Sequence, residues 1–176
     1  MATRTRVRFS KSEFRKELMA RKREIDKLQT AKLIAYAESE IPQMAALMLT
    51  DTTGNLLDSL CWGVWYNGKL AKFGYYRERQ EAELDSYLHE LSANRIPVNG
   101  RFLAQQFLAQ YKPTIKQGWE VVWGVLAPYW AYWEQGHYNR LIGDVVQFKA
   151  MSQRYDHIKQ ELEPMCKVTF EVNVPQ

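Results

Sequence analysis

The chain has 176 residues, of which 46% are hydrophobic and 25% charged, an ordinary composition for a globular domain. A chain of this length can bury most of its apolar surface in one core, so we expect one domain. The sequence also argues against a membrane-spanning protein, a secreted protein and a small disulfide-rich protein. There is no apolar run of membrane-spanning length and no apolar segment behind the basic N-terminus as in a secretory signal. Two cysteines are too few for a disulfide framework.

Positive charge is concentrated at the start of the chain. The formal net charge is +4, and residues 1–27 alone hold ten lysines and arginines against four acidic residues. We expect residues 1–10 to be a flexible basic arm and residues 11–176 to form a single α+β domain. Two interpretations of the charge stay open: contact with DNA or an acidic partner, or a solvated helix start that favours solubility. The residues predicted to contact DNA are Arg4, Arg6, Arg8 and Lys11.

A long helix is predicted to start at a capping box formed by Ser10 and Glu13 and to end near Leu49. Apolar residues recur in its later half every three or four positions, so they lie on one stripe. They are Ile34, Ala37, Ile41, Ala45 and Met48. Pro42 lacks the amide donor that continues a helix, and it therefore predicts a kink or a break.

The next segment predicts a β-hairpin. Residues 56–66 and 69–76 read as two strands, and Asn67 and Gly68 separate them. Asn-Gly is a strong hairpin signal because both turn residues must adopt positive φ angles. The aromatic residues of the two strands fall on both faces, so we expect both faces to be covered. They are Trp62, Trp65, Tyr66, Phe73, Tyr75 and Tyr76.

Residues 77–118 read as a long inserted segment of helix and loop. Three leucines at helical spacing predict a short helix early in the segment, and residues 92–100 predict a loop. Residues 102–111 predict another helical piece, after which the chain returns to a strand at residues 119–126. The three leucines are Leu84, Leu88 and Leu91.

The last third of the chain predicts two helices and a strand. Proline suits a first helical turn and Gly136 follows as a stop, so residues 128–135 predict a short helix. Residues 144–163 carry an apolar stripe and predict a longer one. Residues 167–174 alternate apolar and polar side chains, which predicts a half-buried antiparallel strand. The sum is an α+β fold: an antiparallel sheet of about four strands with a long N-terminal helix and a C-terminal helix against one face, and a helical insertion.

Residues suited to catalysis or metal binding are scattered. His89, His137 and His157 lie on three different predicted elements. Glu134 and His137 make one Glu-x-x-His pair, whereas a dinuclear carboxylate site needs two such pairs and further glutamates. Cys61 lies in an apolar strand, where burial raises the thiol pKa and makes it unreactive. The sequence has no nucleophile elbow, Walker loop or dinucleotide fingerprint, so we expect no enzyme, metal or cofactor.

Two short strings stand out instead. The first runs from Thr53 to Ser59, where Gly54 permits a sharp turn and Ser59 is placed to bond local backbone amides. The second runs from Ala127 to Gly136 and holds more aromatic side chains than one short helix can bury. These rings either form a compact core or anchor a contact between subunits, where Trp and Tyr are enriched. Counted together with the two tryptophans of the preceding strand, the aromatic residues are Trp119, Trp123, Tyr129, Trp130, Tyr132 and Trp133.

The two strings, in this order between a long helix and a last strand, resemble the head–tail joining (neck or tail-completion) proteins of tailed bacteriophages. That family typically reads T-G-x-L-x-x-S before its first strand and A-P-Y-A-x-Y-x-E-x-G near its middle. The likeness covers most of the chain by the order of its elements. The signature and subunit-contact positions are Thr53, Gly54, Leu56, Ser59, Ala127, Pro128, Tyr129, Trp130, Tyr132, Trp133, Glu134 and Gly136.

The resemblance implies a structural virion protein that is made in the bacterial host cytoplasm and works at the neck, the head–tail junction. There, copies form a ring of about six or twelve between the portal (connector) protein and a tail protein. DNA passes through the channel with weak contact at most, no membrane is involved, and no signature residue is catalytic.

The chain departs from the family pattern in two places. Its segment 77–118 is longer than the usual loop, and we expect it to dock a neighbouring ring or a tail component. Trp130 and Trp133 replace smaller residues. Two alternatives stay open: a nucleic-acid-binding module that uses residues 1–27, and an enzyme with an unfamiliar site around Glu134 and His137.

Overall fold

A computed structural model of the chain describes residues 10–47, 55–76, 89–91, 96–127, 137–139, 144–146 and 150–172. The helices are α1 (Lys11–Ala46), α2 (Asn55–Asp58), α3 (Gly100–Gln110) and α4 (Ala150–Leu162). The strands are β1 (Leu60–Tyr66), β2 (Lys69–Tyr75), β3 (His89–Leu91), β4 (Ile96–Val98), β5 (Trp119–Val125), β6 (His137–Asn139), β7 (Asp144–Val146) and β8 (Lys167–Val172).

A four-stranded sheet in the order β2-β1-β5-β8 forms the centre of the fold, and two small antiparallel pairs, β3-β4 and β6-β7, accompany it. The α+β class, the four-stranded sheet and the two long helices are confirmed. The expectation that all strands are antiparallel is wrong for β8, which runs parallel to β5. The reason lies in the connection, because a chain that crosses over through a helix such as α4 can return in its original direction.

The helices α1 and α4 cover one face of the sheet. Leu33 and Ile41 of α1 and Ile158 of α4 join Trp62 and Trp123 of the two central strands in the main core cluster. Burying large side chains of this kind stabilises the fold by roughly 1.5–3 kcal/mol for each one removed from water. The predicted apolar stripes on both helices therefore point at the sheet.

The second face of the sheet is covered by α3. Ala104 and Leu108 of this helix pack with Cys61, Trp65 and Val122 in a second cluster. The expectation of helices against one face alone is therefore wrong, whereas the expectation that both faces of the strands are covered is confirmed. The helix that covers the second face lies within the predicted insertion, so this segment is part of the core of the domain.

The β-hairpin is confirmed in detail. Asn67 has φ 51° and Gly68 has φ 76°, as the tight Asn-Gly turn requires. The register shifts between Val64 and Trp65, and this bulge twists the edge strand. The first strand starts at Leu60, four residues later than predicted, because the preceding residues form the short helix α2.

The helix α1 starts as predicted. The hydroxyl of Ser10 accepts a hydrogen bond from the amide of Glu13 at 3.5 Å, which caps the first turn. The helix continues through Pro42 to Ala46, so the predicted break is wrong. The loss of one backbone bond at this proline is offset because the neighbouring Ile41 is buried in the core.

Several boundaries differ from the prediction. Leu91, predicted as helix, lies in β3, and the predicted loop at 92–100 contains β4. The predicted helix at 144–163 begins with a strand, β7, and its helical part starts at Ala150. The β-branched residues of β4 and β7 favour extended backbone there. The helix predicted at 102–111 and the strand predicted at 119–126 are confirmed, as is the strand predicted at 167–174 over its described residues, 167–172. The helix predicted at 128–135 lies outside the described residues.

Candidate functional site

The hydroxyl of Ser59 joins the two strings that carry the family resemblance. It donates a hydrogen bond to the carbonyl oxygen of Leu56 at 2.7 Å. It also accepts hydrogen bonds from the backbone amides of Leu126 at 3.2 Å and Ala127 at 3.1 Å. The one donor and both acceptor positions of a serine hydroxyl are thus used. The first string therefore fixes the point at which the chain leaves β5 and enters the second string.

The signature residues that the structure describes are buried. Leu56 is 1% exposed, and Ser59 and Ala127 are 0% exposed. A side chain without exposed surface is unavailable to a partner, so these residues shape the scaffold and do not themselves form a subunit contact. The other signature residues, together with Arg4, Arg6 and Arg8, lie outside the described residues. They are Thr53, Gly54, Pro128, Tyr129, Trp130, Tyr132, Trp133, Glu134 and Gly136.

Two charged side chains and a thiol are buried near this junction. Asp58 of α2 and Arg101 of α3 are both buried, and the two helices pack against each other. The guanidinium carbon of Arg101 lies 3.9 Å from the ring centroid of Tyr75, a cation–π contact. Burial raises the pKa of the Cys61 thiol to about 12, although Arg101 and a backbone hydrogen bond from Gly124 act in the opposite direction. This supports the prediction that the thiol is unreactive.

The opposite end of β5 holds a buried carboxylate that the sequence analysis missed. Glu120 is 1% exposed and accepts hydrogen bonds from the hydroxyl of Tyr111 at 2.6 Å and from the amides of Thr114 at 2.8 Å and Ile115 at 3.2 Å. The hydroxyls of Thr114 and Thr169 lie 3.0 and 3.2 Å from it. The available signal was a single charged residue at the start of an otherwise apolar strand.

The donors around Glu120 set its charge. Burial on its own raises the pKa of this carboxyl, but the hydrogen bonds from Tyr111, Ile115 and Thr114 outweigh burial and hold the pKa below its ordinary value. The carboxylate is therefore ionised near neutral pH, with its oxygens occupied by donors from the loop after α3 and from β8. This arrangement joins three segments of chain and leaves the carboxylate poorly placed to act as a general base.

The two tryptophans of β5 belong to the core. Trp123 is 0% exposed. Trp119 stacks on Tyr66 with ring centroids 5.0 Å apart, and its indole nitrogen donates a hydrogen bond to the hydroxyl of Thr30 at 2.9 Å. For these two rings the core interpretation is confirmed. The four aromatic residues of the second string lie outside the described residues.

The N-terminal half of α1 is exposed and basic. Lys11, the one predicted DNA-contact residue that the structure describes, is exposed there. Arg21 pairs with Glu17 at 2.8 Å on this surface. Other exposed basic residues of this half are Arg15, Lys16, Lys22, Arg23 and Lys27. The start of the domain is therefore a basic surface, and its contact with DNA stays a prediction.

Within the described ranges, no group of three or more His, Cys, Asp or Glu side chains is placed to hold a metal ion. In the same part of the chain, no helix combines the length and the apolar character that crossing a bilayer requires. The exposed His157 has its Nε2 atom 3.4 Å from a carboxylate oxygen of Glu161 on the same helix.

Comparisons with protein-family models, curated proteins and solved structures gave no match.

We predict that Ser59→Ala destabilises the protein by about 1–3 kcal/mol, because two buried amides lose their shared acceptor. Urea unfolding measures this change. Amide hydrogen exchange at Leu126 and Ala127 is expected to accelerate more than exchange at the centre of β5. The matched control is Ser39→Ala, which removes an exposed hydroxyl that bonds within its own helix and is expected to cost little. Equal effects of the two substitutions would contradict a junction at Ser59.

We predict that Glu120→Gln removes a pH-dependent part of the stability. Because the folded pKa lies below the ordinary value of 4.5, the ionised carboxylate stabilises the fold above pH 4.5, and this stabilisation is lost as the pH falls through the lower folded value. The variant is expected to unfold more easily at neutral pH and to lose less stability on acidification. Urea unfolding across the acid range measures both effects, with the exposed Glu171→Gln on β8 as the control. Parallel pH profiles for the wild type and Glu120→Gln would refute this account.

Proposed function

We propose that this chain is a structural virion protein of a tailed bacteriophage, a ring-forming adaptor at the head–tail junction. It joins the portal side to the tail around the DNA channel and performs no catalysis. The observation that carries the proposal is the pair of strings at 53–59 and 127–136, in the order typical of the neck family. The hydrogen bonds of Ser59 with the start of the second string support it, because they give the two distant strings one shared structural role.

The mechanism we propose is geometric. Both faces of the central sheet are covered by helices, and the ends of β5 are fixed by Ser59 and Glu120. A scaffold of this kind holds its surface segments at constant positions. An adaptor needs this property, since it must present one surface to the connector and another to the tail in every copy of a ring.

The edge strand β2 offers a surface for the contact between copies. It lies at one edge of the sheet, and Leu70 and Phe73 on it are 43% and 46% exposed. They pair with Trp65 and Gly63, so the bulge in this strand brings both side chains to the face that α3 covers. Neighbouring apolar side chains of this kind are favoured in interfaces, where burial removes them from water.

We predict that the purified chain, alone or with its portal partner, forms closed rings that are visible by electron microscopy, with about six or twelve copies. Phe73→Glu is expected to abolish the rings while leaving the far-UV circular dichroism spectrum unchanged, since it places a charge in the proposed contact. Gln106→Glu, which adds the same charge to an exposed position of α3, is the control and is expected to keep the rings. A chain that stays monomeric at high concentration and is absent from purified virions would refute the adaptor proposal.

A nucleic-acid-binding module is the second candidate, favoured by the exposed basic residues of α1. The adaptor proposal predicts weak, sequence-independent binding of duplex DNA, with a dissociation constant of roughly 1–100 µM at physiological salt that weakens steeply as salt rises. Fluorescence anisotropy at two salt concentrations measures it. The pair Arg15→Ala and Lys16→Ala should lower the salt dependence, and the pair Lys112→Ala and Lys116→Ala serves as the control. Nanomolar binding at physiological salt would favour the module over the adaptor.

A further inference from the structure

The helix α1 consists of two parts with different surroundings. Residues 10–25 are exposed without exception, and the first buried residue of the helix is Leu33. At 1.5 Å per residue, the part before Leu33 is about 30 Å long. Helices in globular proteins are stabilised mainly by packing of an apolar face, so a long exposed helix that carries apolar side chains needs a partner to cover them.

The exposed part of α1 carries such a stripe. Phe14, Leu18, Ile25 and Leu28 follow each other in steps of four, seven and three residues, which is the a/d spacing of a coiled-coil heptad. Leu18 and Ile25 occupy a positions, and Phe14 and Leu28 occupy d positions. The exposed fraction of the side chain is 53% for Phe14, 53% for Leu18, 63% for Ile25 and 60% for Leu28. Arg21 takes the d position between them, where its aliphatic stem can lie along the seam. We propose that this stripe pairs with the same stripe of a second copy of the chain, as a parallel coiled coil in register.

The flanking charges identify the second copy as the partner. The g positions beside the stripe hold Glu17 and Glu24, and the e positions hold Arg15, Lys22 and Gln29. In a parallel pair, each g residue faces the e residue five positions later in the partner helix, so Glu17 of each copy faces Lys22 of the other. Glu24 faces the neutral Gln29. These flanking positions therefore create two attractive pairs and no like-charge pair. Within the seam the two Arg21 residues face each other, and their exposed guanidinium groups lie outside it in solvent.

An antiparallel pair is disfavoured by the same charges. In that arrangement g positions face g positions and e positions face e positions, so Glu17 and Glu24 meet, as do Arg15 and Lys22. In the single chain, Glu17 bonds Arg21 and Lys22 bonds Asp26, each at 2.8 Å. Of the four side chains in these two ion pairs, only that of Asp26 is not well exposed. Exposed ion pairs of this kind are weak enough to exchange partners.

The pairing has a salt dependence opposite to that of DNA binding. Residues 11–32 hold eight lysines and arginines against four acidic residues, so two copies repel each other by net charge. Salt screens this repulsion and strengthens an apolar seam, whereas it weakens contacts with phosphates. The pairing also stands independently of the proposed ring, because it depends on α1 alone and can join two copies in any assembly.

We predict that the full-length Leu18→Cys variant forms a disulfide-linked dimer in high yield under mild oxidation. Both native cysteines are buried, so the introduced thiol is the accessible one. A parallel helix pair in register places the two introduced sulfur atoms face to face across the seam. In the antiparallel arrangement described above, position 18 faces Arg21 instead, so the two sulfur atoms are offset along the helix axis by roughly 4.5 Å. Lys16→Cys, at the outer f position, is the control and is expected to remain mainly monomeric. Equal yields from the two variants, or no dimer from Leu18→Cys, would overturn the proposal.

A charge exchange tests the register independently. Glu17→Lys and Lys22→Glu each create like-charge pairs, and each is expected to weaken dimerisation by about fivefold in analytical ultracentrifugation. The double variant restores the pairs with reversed polarity and is expected to bind within about twofold of the wild type. Circular dichroism checks that the helix stays intact.

Raising the salt from about 50 mM to about 500 mM should strengthen wild-type pairing. Additive losses in the double variant, or weakening by salt, would refute the parallel self-pairing.

Discussion

The fold depends on the pairing of β1 with β5, two strands that are buried along almost their whole length on both faces. Trp62 lies opposite Trp123, and Val64 opposite Val121, all four within the main core cluster. Polar contacts hold both ends of this pair. Ser59 binds the amides that follow β5, and Glu120 binds the loop that precedes it. Since apolar contacts are non-directional, these directional bonds help fix which residues of the two strands face each other.

The attachment of α1 to this sheet explains its division into two parts. Glu40 is buried and accepts two hydrogen bonds from Arg154 of α4, at 2.7 and 2.6 Å, so the two helices are joined over the first face of the sheet. A buried ion pair of this type adds little net stability, because the cost of desolvating both charges offsets their attraction. Farther toward the N-terminus, Asp26 accepts hydrogen bonds from Lys22 and Tyr66. Both bonds lower the pKa of the Asp26 carboxyl, and the bond from Lys22 has the larger effect. The contact with Tyr66 is made by the edge of the domain, and the helix before it extends into solvent.

The sequence predicted those features that depend on local chemistry. The Asn67-Gly68 turn, the Ser10 cap and the apolar stripes of α1 and α4 follow from short-range rules, and they are confirmed. The direction of β8 was not predictable from its alternating pattern, because the same pattern suits a parallel or an antiparallel neighbour when only one face is buried. The strand β7 was included in a helix because a helical stripe was extended too far toward the N-terminus.

The contacts of the candidate site were even less predictable, because they join residues that are distant in the sequence. The five hydrogen-bond donors of Glu120 come from residues 111–115 and from β8, so no local sequence pattern predicts them. Ser59 was singled out as a residue of the first string, and binding of nearby backbone amides was expected of it. Its actual partners at 126 and 127 are about seventy positions away, and only the β1–β5 register brings them together. A motif therefore indicated the residue, but its partner depended on the fold.

Burial also separates the residues that shape the scaffold from those that are able to select a partner. The signature residues in the described part of the chain, Leu56, Ser59 and Ala127, are enclosed, so in the proposed assembly they act only through the shape they impose. The proposed assembly therefore takes its selectivity from exposed side chains, such as Phe73 on the edge strand and the stripe on α1. These surfaces lie outside the motifs and outside the core. A family signature of this kind thus indicates how such a protein is built, while the identity of its neighbours is determined by surface residues that the signature does not include.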